Sequence, residues 1–217
     1  MSRPLTVLRP EPGNARTAAA IEATGSTAIR LPLFAVGPVP WTPPPLDGID
    51  ALLVTSANTF RQGGERLTGL ASLPVHAVGE ATAVAARRAG FDVATVGSAD
   101  AATLVATIPP GIRLLHLGGR ERLSIAGVAS VAVYAAEVLP VDPATIDRLA
   151  GSVALLHSAR AAHRLAALVA ADTRATMRLA ALSPAIAAAA GGGWQRVAAV
   201  AKPDDSALIM VAVQLAD

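Results

Sequence analysis

The sequence predicts an α/β protein, in which helices cover both faces of parallel sheets. Three observations favour this fold class. Short apolar runs alternate with alanine-rich segments along the whole chain of 217 residues. The runs are apolar at nearly every position, as expected of strands that are buried on both faces. Most of the intervals between the runs are long enough for a helix, so strands and helices should alternate.

The candidate strands are rich in Val, Leu and Ala. Ten segments fit this description: Leu5–Leu8, Ala28–Leu31, Ala51–Val54, Val75–Val78, Val93–Val96, Arg113–Leu117, Ser130–Val133, Val153–Leu156, Arg178–Leu182 and Val197–Val200. The intervals between them are rich in helix-forming alanine. Examples of the predicted helices are Ala15–Ala23, Ala81–Ala89, Ala101–Thr107, Arg160–Ala170 and Asp205–Leu215.

Two proline-containing stretches interrupt the alternation and indicate connections between domains. The stretch from Leu31 to Gly48 contains six prolines, and an extended run from Val131 ends at Pro140 and Pro143. Proline is disfavoured in helix interiors and in central strands, so each stretch is interpreted as a linker or an edge strand. The predicted organisation is a discontinuous domain of residues 1–30 and 141–217, linker strands at 31–41 and 131–140, and a second domain at 42–130.

An internal repeat agrees with this division. The segment Ala51–Gln62 (ALLVTSANTFRQ) resembles Val153–Arg164 (VALLHSARAAHR), which places Ser56 opposite Ser158. The sequence therefore predicts two domains of similar construction.

The composition excludes several classes of protein. The chain has 18 Lys+Arg against 16 Asp+Glu, a net charge of +2 and no cysteine. It can therefore form no disulfide framework, thiolate nucleophile or iron–sulfur cluster. All basic residues except Lys202 are arginines, whose guanidinium groups suit an acidic ligand. Because there is no long basic run and the aromatic residues are scattered, no nucleic-acid partner is expected.

Neither export nor a membrane span is expected from the sequence. The first residues include Arg9, Glu11 and three prolines, where a signal peptide needs a continuous apolar region. The longest uncharged stretches, Leu31–Leu46 and Leu179–Gln195, are interrupted by prolines or by consecutive glycines. We therefore expect a cytoplasmic protein.

Several segments, in their order and spacing, resemble the uroporphyrinogen-III synthase family. The resemblance covers nearly the whole chain. Its main segments are VLRPEPGNA (Val7–Ala15), LLVTSANTFR (Leu52–Arg61), PVHAVGEATAVAARRAGFDV (Pro74–Val93), LLHLGGRER (Leu114–Arg122) and VAVYAAEVLP (Val131–Pro140).

The resemblance implies two flavodoxin-like parallel-sheet domains that are joined by a two-stranded antiparallel linker, with the active site between them. It also implies a monomeric lyase that uses no cofactor and no metal. In the implied reaction, hydroxymethylbilane loses the hydroxyl of ring A as water and closes onto ring D with inversion of that ring. The product is uroporphyrinogen III. The sequence contains neither GxGxxG nor a P-loop, in agreement with a site without nucleotide.

Tyr134 is the candidate catalytic residue. It is the only tyrosine of the chain, and the resemblance assigns it a role in the departure of the hydroxyl. A phenol can donate a proton or a hydrogen bond to the leaving oxygen. From its position alone, a tyrosine that merely packs its ring at a domain junction is an open alternative.

The candidate substrate-binding residues follow predicted strands, where helix N-termini offer unpaired N–H groups to an anion. They are expected to bind the carboxylates of the substrate: Arg9, Thr55, Ser56, Gly79, Thr82, Gly119, Arg120, Ser158 and Ser183. For the hydroxyl-bearing residues, an ordinary role as helix N-cap is the alternative. For the arginines, the alternative is a solvated surface side chain.

The sequence departs from the family pattern after three of its strands. The opening strand ends Leu8-Arg9-Pro10, without the threonine that often precedes the arginine in relatives. Many relatives have Gly-Pro-Thr-Thr where this chain has Ser183-Pro184-Ala185-Ile186, and His157 stands where a threonine or serine is usual. The missing hydroxyls leave a second hypothesis open, namely a non-catalytic two-domain module that binds a tetrapyrrole or another small acid.

The histidines are interpreted as structural. His76 and His116 lie within apolar runs, which favours a role as core residues. His157 and His163 do not have the spacing of one helical face. None is expected to bind a metal.

Overall fold

The structure is a computed structural model and describes residues 2–97, 100–122 and 124–217. Its strands, in chain order, are β1 (Leu5–Val7), β2 (Ala28–Arg30), β3 (Phe34–Pro38), β4 (Ala51–Val54), β5 (Val75–Ala77), β6 (Val93–Val96), β7 (Leu114–Gly119), β8 (Ala129–Val138), β9 (Val153–Leu156), β10 (Arg178–Ala181) and β11 (Arg196–Ala199). Its α-helices are α1 (Gly13–Glu22), α2 (Asn58–Gln62), α3 (Glu80–Arg88), α4 (Ala101–Ala106), α5 (Pro143–Asp147), α6 (Ala159–Leu168), α7 (Ala171–Arg174), α8 (Pro184–Ala189) and α9 (Asp205–Ala216). A 3-10 helix covers Glu65–Leu70.

Contacts within the chain divide it into two compact units. Unit 1 combines Met1–Ala35 with Val138–Asp217, and unit 2 consists of Val36–Glu137. Each unit is built on its own sheet and its own cluster of buried side chains.

Unit 1 contains a parallel sheet with the strand order β11-β10-β9-β1-β2. Every residue of the central strands β1 and β9 is buried. Leu5 and Leu155 from these strands join Leu208 and Ile209 of α9 in one apolar cluster. The apolar sequence of each central strand is therefore explained by contacts on both faces of the sheet.

Unit 2 contains a sheet with the strand order β3-β8-β7-β4-β5-β6. The pairs β8-β7, β7-β4, β4-β5 and β5-β6 are all parallel. Every residue of β4 and β7 is buried. Leu52 and Leu115 belong to its apolar core. The rings of Phe60 and Phe91 lie 5.2 Å apart, measured between centroids.

The predicted alternation of strands and helices is confirmed, and nine of the ten candidate strands agree with the structure to within two residues. The exception is Ser130–Val133. The sequence predicts a short strand there and an overlapping linker strand at 131–140, and the structure joins both in one continuous strand, β8. The short bounds of the candidate strand were wrong, because no glycine or proline occurs between Ala129 and Pro140 to end the strand.

The proline-containing stretch after β2 forms β3, which lies at the edge of its sheet. Pro38 is its last residue, where the missing N–H removes no hydrogen bond from a central ladder. In the part of the chain that the structure describes, no helix is long and apolar enough to cross a membrane.

Replacing Leu155 by alanine should destabilise unit 1 strongly. Leu155 is 0% exposed in the centre of the sheet, and removing a buried leucine lowers the free energy of unfolding by about 2–5 kcal/mol. Urea denaturation followed by circular dichroism measures the change. The matched control is Val197→Ala in β11, whose side chain is 40% exposed. Equal losses in the two variants would contradict the assigned core.

Candidate active site

The candidate site of unit 2 is a cavity of about 380 Å³ at the carboxyl edge of the sheet. This is the edge at which parallel α/β sheets bind ligands. Three of the residues predicted from the sequence line it: Thr55 after β4, Gly119 at the end of β7, and Tyr134 on β8. The other lining residues are Val78, Asp100, Ala101, His116, Glu121, Arg122 and Ile125.

The ring of Tyr134 lies directly over Gly119. The two residues are neighbours across β7 and β8, at a shift in register that follows the pairing of Gly118 with Ala132. A Cβ atom on Gly119 would be only 2.9 Å from the Cε2 atom of the tyrosine ring. A glycine is therefore required here, because any side chain would displace the phenol from its position in the cavity.

Two arginines follow β7 and take different partners. Arg120 forms an exposed ion pair of 2.8 Å with Glu137, and its backbone N–H donates to the carbonyl of Tyr134. Arg122 turns back along the strand and donates to the carbonyl of Gly119 and to Ser130. Arg122 lines the cavity, whereas the predicted binding residue Arg120 does not.

His116 is the only titratable side chain within β7. It is 2% exposed, and its Nε2 atom lies 3.2 Å from the hydroxyl oxygen of Thr55. Burial, together with the nearby charge of Arg122, lowers the pKa of His116 below its usual value. The imidazole is therefore neutral at pH 7.

The remaining candidates of unit 2 lie outside the cavity lining. The Ser56 hydroxyl accepts a hydrogen bond of 3.2 Å from the backbone N–H of Asn58. Gly79 is the residue before α3, and its carbonyl accepts from the backbone N–H groups of Thr82 and Ala83. Thr82 is only 6% exposed within that helix.

The cavity combines an apolar surface with charges of both signs. Asp100 accepts a hydrogen bond of 2.7 Å from the backbone N–H of Thr103 at the start of α4. This bond holds the pKa of Asp100 below its usual value. Val78, Ala101 and Ile125 supply the apolar part of the lining. Such a surface suits a partly apolar ligand that carries a few polar groups.

The candidate residues of unit 1 lie at the carboxyl edge of its own sheet. Arg9 follows β1, and its Nη1 atom lies 3.3 Å from Asp205. The same carboxylate accepts a hydrogen bond of 2.9 Å from Thr17 and lies 2.8 Å from Nε2 of His157. The His157 hydrogen bond is the main reason why the pKa of Asp205 is below its usual value.

Ser158 and Ser183 are N-caps of helices. The Ser158 hydroxyl accepts from the N–H of Ala161 at the start of α6, and the Ser183 hydroxyl accepts from the N–H of Ile186 at the start of α8. Both serines therefore have the role of helix N-cap, which the sequence analysis gave as the alternative to substrate binding. They also fix the first turns of both helices next to the loops that follow β9 and β10.

The residues at these two edges that the sequence analysis did not select as site residues include His116, Arg122 and Asp205. For His116 and Asp205 the sequence offers a signal, namely a polar side chain that interrupts an apolar run or immediately follows a cap. His116 breaks the run LLHLGG, and Asp205 follows the N-cap Asp204. Among the residues described, no group of three or more His, Cys, Asp or Glu side chains is arranged to hold a metal ion.

The variant Gly119→Ala should displace Tyr134. The new Cβ atom would meet the rigid ring at 2.9 Å, and overpacking of this kind costs about 1–3 kcal/mol. Because the chain has a single tyrosine, its ring signals in an NMR spectrum report the displacement directly. The control is Gly69→Ala, where a Cβ atom would have no neighbour within 4 Å. Unchanged tyrosine signals in Gly119→Ala would refute the close packing.

The variant Asp205→Asn should have a lower free energy of unfolding than the wild type at neutral pH. The loss should be about 1 kcal/mol, because the ion pair of Asp205 with Arg9 is partly exposed. The folded-state pKa of Asp205 lies below its usual value of 3.8. The stability from this carboxylate is therefore present above pH 3.8 and is lost as the pH falls through the folded-state pKa. Urea denaturation from pH 7 to acid pH should show the difference between variant and wild type shrinking. A constant difference would contradict this role, and the exposed Asp147→Asn variant is the control.

Comparisons with known proteins agree with this architecture. The family model described as uroporphyrinogen-III synthase HemD matches residues 15–210. The fold is similar to uroporphyrinogen-III synthetase from Helicobacter pylori, at 15% identity and a TM-score of 0.71, over 98% of this chain and 99% of that one. It is also similar to a mutant uroporphyrinogen III synthase from Thermus thermophilus, at 18% identity and a TM-score of 0.59, over 99% and 98% of the two chains.

The comparison with curated proteins gives no significant match. The family match nevertheless extends over most of the chain, and it includes the strands from β2 to β11, among them β8, which carries Tyr134. This chain belongs to the uroporphyrinogen-III synthase family.

Proposed function

We propose that this chain catalyses the reaction for which its family is named, the conversion of hydroxymethylbilane to uroporphyrinogen III. The observation that carries the proposal is the position of Tyr134, which lines a cavity of apolar and charged residues beside Thr55 and Gly119. A cavity of about 380 Å³ accommodates part of a linear tetrapyrrole, in keeping with the usual size of ligand pockets.

In the proposed mechanism, the Tyr134 phenol assists the departure of the ring A hydroxyl. It donates a hydrogen bond or a proton to the oxygen while the carbon–oxygen bond breaks, and the oxygen leaves as water. The electron pair of the pyrrole nitrogen stabilises the resulting electrophilic carbon as an azafulvene. The ring D carbon that already carries its bridge attacks that carbon and gives a spiro intermediate. The bond from ring D to its old bridge then breaks, which regenerates an azafulvene, and the bridge carbon bonds to the other α-carbon of ring D, which loses its proton. The geometry enforced by binding makes this closure faster than in solution.

The carboxylates of the substrate are proposed to bind at the carboxyl edges of the two sheets. Arg9 and Arg120 hold the internal carboxylates of Asp205 and Glu137, and a guanidinium has enough N–H donors to bind a second carboxylate beside the first. The loops with Thr55, Ser56, Gly79, Thr82, Gly119, Ser158 and Ser183 complete the proposed binding set. No metal and no cofactor take part in this proposal.

The proposal includes the finer domain organisation. We infer that residues 1–30 with 141–217 and residues 42–130 form flavodoxin-like domains, and that 31–41 and 131–140 form an antiparallel ladder between them. In support, β3 and β8 are neighbours in one sheet. The backbone N–H of Val39 donates to the carbonyl of Val133, and the N–H of Leu139 donates to the carbonyl of Leu33. The two segments therefore run antiparallel. A cytoplasmic location and a monomeric state are part of the same proposal.

The isomer of the product tests the function. Hydroxymethylbilane closes without a catalyst to uroporphyrinogen I, so the ratio of isomers III and I after oxidation reports catalysis. Purified protein and freshly generated bilane should give mainly isomer III. Isomer I at the rate of the protein-free control would contradict the synthase and favour the binding-module hypothesis.

The variant Tyr134→Phe should keep the fold and lose most of the rate. Loss of a proton donor lowers the rate by roughly 10²-fold or more, and the ring that packs on Gly119 is retained. The rate of isomer III formation and the melting temperature are the two measurements. Val138→Ala, at the exposed end of the same strand with a side chain that is 48% exposed, should leave both unchanged. A Tyr134→Phe variant with the wild-type rate would remove the catalytic role of the phenol.

A further inference from the structure

His116 is a polar side chain in the middle of an apolar strand, and it has no role in the proposed mechanism. Both of its sequence neighbours are buried leucines, and the imidazole itself is 2% exposed. Its Nδ1 atom is buried and has no hydrogen-bond partner among the described residues. A buried polar group that is only partly hydrogen-bonded is destabilising, so a histidine at this position indicates a role other than packing.

The imidazole extends along the strand toward the carboxyl edge of the sheet. A Cβ atom on Gly118, two residues further, would come within 2.9 Å of the Nε2 atom of His116 and 3.1 Å of the Cδ atom of Arg122. The absence of a side chain at Gly118 therefore creates the space in which the ring lies. In this position, the Nε2 atom of His116 lies 3.2 Å from the hydroxyl oxygen of Thr55. Both residues line the cavity.

The surroundings of the ring favour one direction for this hydrogen bond. The imidazole is neutral, because burial and Arg122 lower the pKa of His116, so one ring nitrogen carries a proton and the other a lone pair. A buried N–H without an acceptor is rarer in proteins than a buried acceptor without a donor. This preference assigns the lone pair to the unpartnered Nδ1 and the role of donor toward the Thr55 oxygen to Nε2–H. The proton of the Thr55 hydroxyl is then free to point into the cavity.

We propose that His116 is a positioning residue that orients the Thr55 hydroxyl as a hydrogen-bond donor toward an oxygen atom of the bound bilane. The proposal rests on the synthase function proposed above. The three parts act in sequence: Gly118 makes room for the ring, the ring fixes Thr55, and Thr55 contacts the substrate. His116 itself does not touch the reacting atoms.

The chain offers a matched control in His76 of β5. His76 and His116 both pair in register with Leu53, from the two sides of β4, so they lie in one row across the sheet. His76 is 8% exposed, and its Nδ1 atom is also buried without a partner among the described residues. It does not belong to the cavity lining. A loss of activity that arose merely from replacing a buried histidine would therefore appear at both positions.

The test compares single and double variants in the isomer assay. We expect His116→Leu and Thr55→Val each to lower kcat about tenfold, the effect of one lost hydrogen bond in the transition state. The double variant should be no slower than either single variant, because both changes remove the same interaction. His116→Gln, whose amide can replace Nε2–H, should recover most of the rate, and His76→Leu should stay within about twofold of the wild type. The melting temperatures show which variants fold.

The outcomes separate this proposal from the function on which it rests. If the wild type gives only isomer I, both proposals are wrong. If the wild type gives isomer III, multiplicative losses in the double variant or an unchanged rate in Thr55→Val would overturn the role of His116 alone. Should His116→Leu fail to fold, Thr55→Val and His116→Gln provide the same comparison. The ¹⁵N NMR spectrum of the His116 ring adds a readout without turnover: a protonated Nε2 that shifts in Thr55→Val is expected, and a protonated Nδ1 would overturn the proposal.

Discussion

Parallel pairing is the constraint on which the rest of the structure depends. In each unit, strands that run in the same direction bring the residues following them to one edge of the sheet. In unit 2 this edge gathers Thr55, Val78 and Gly119 around the cavity, and in unit 1 it gathers Arg9 and His157 around Asp205. The pairing persists only because helices cover both faces of the central strands, and this is why those strands are apolar at almost every position.

The consecutive glycines at the end of β7 have two separate roles. Gly118 leaves space for the imidazole of His116, and Gly119 leaves space for the ring of Tyr134. Neither role depends on unusual backbone angles, since both glycines lie within the strand. The space of the missing side chains is occupied by these two rings, which pack against a strand rather than against a loop. Side chains that are supported by a strand hold their positions more precisely than side chains on a loop.

The arginines at the two edges are held by acidic residues of the same unit. Asp205 fixes Arg9, and Glu137 fixes Arg120, in pairs whose side chains are between 28% and 64% exposed. Exposed pairs of this kind contribute little to stability. Their larger effect is to restrict long and flexible side chains to a small range of positions, which would reduce the entropic cost of binding in the proposed function.

Local sequence patterns determined the elements of this protein, whereas the tertiary structure decided the composition of its sites. Apolar runs such as Ala51–Val54 and Val153–Leu156 coincide with strands, because burial on both faces imposes a pattern on neighbouring residues. The extended run that contains β8 was predicted to end at Pro140, and β8 ends two residues earlier, at Val138.

Thr55, Gly119 and Tyr134 were identified from the sequence and line one cavity, but Ser158 and Ser183 turned out to cap helices. His116 looked like a core residue because the only neighbours visible in sequence are leucines. Its contact with Thr55 joins two strands that are 61 residues apart in the chain, and the contact between His157 and Asp205 spans 48 residues. Such contacts depend on sheet order and register, which no local pattern encodes. The sequence alone therefore determined which strands and helices form, and the tertiary structure decided which side chains meet at their ends.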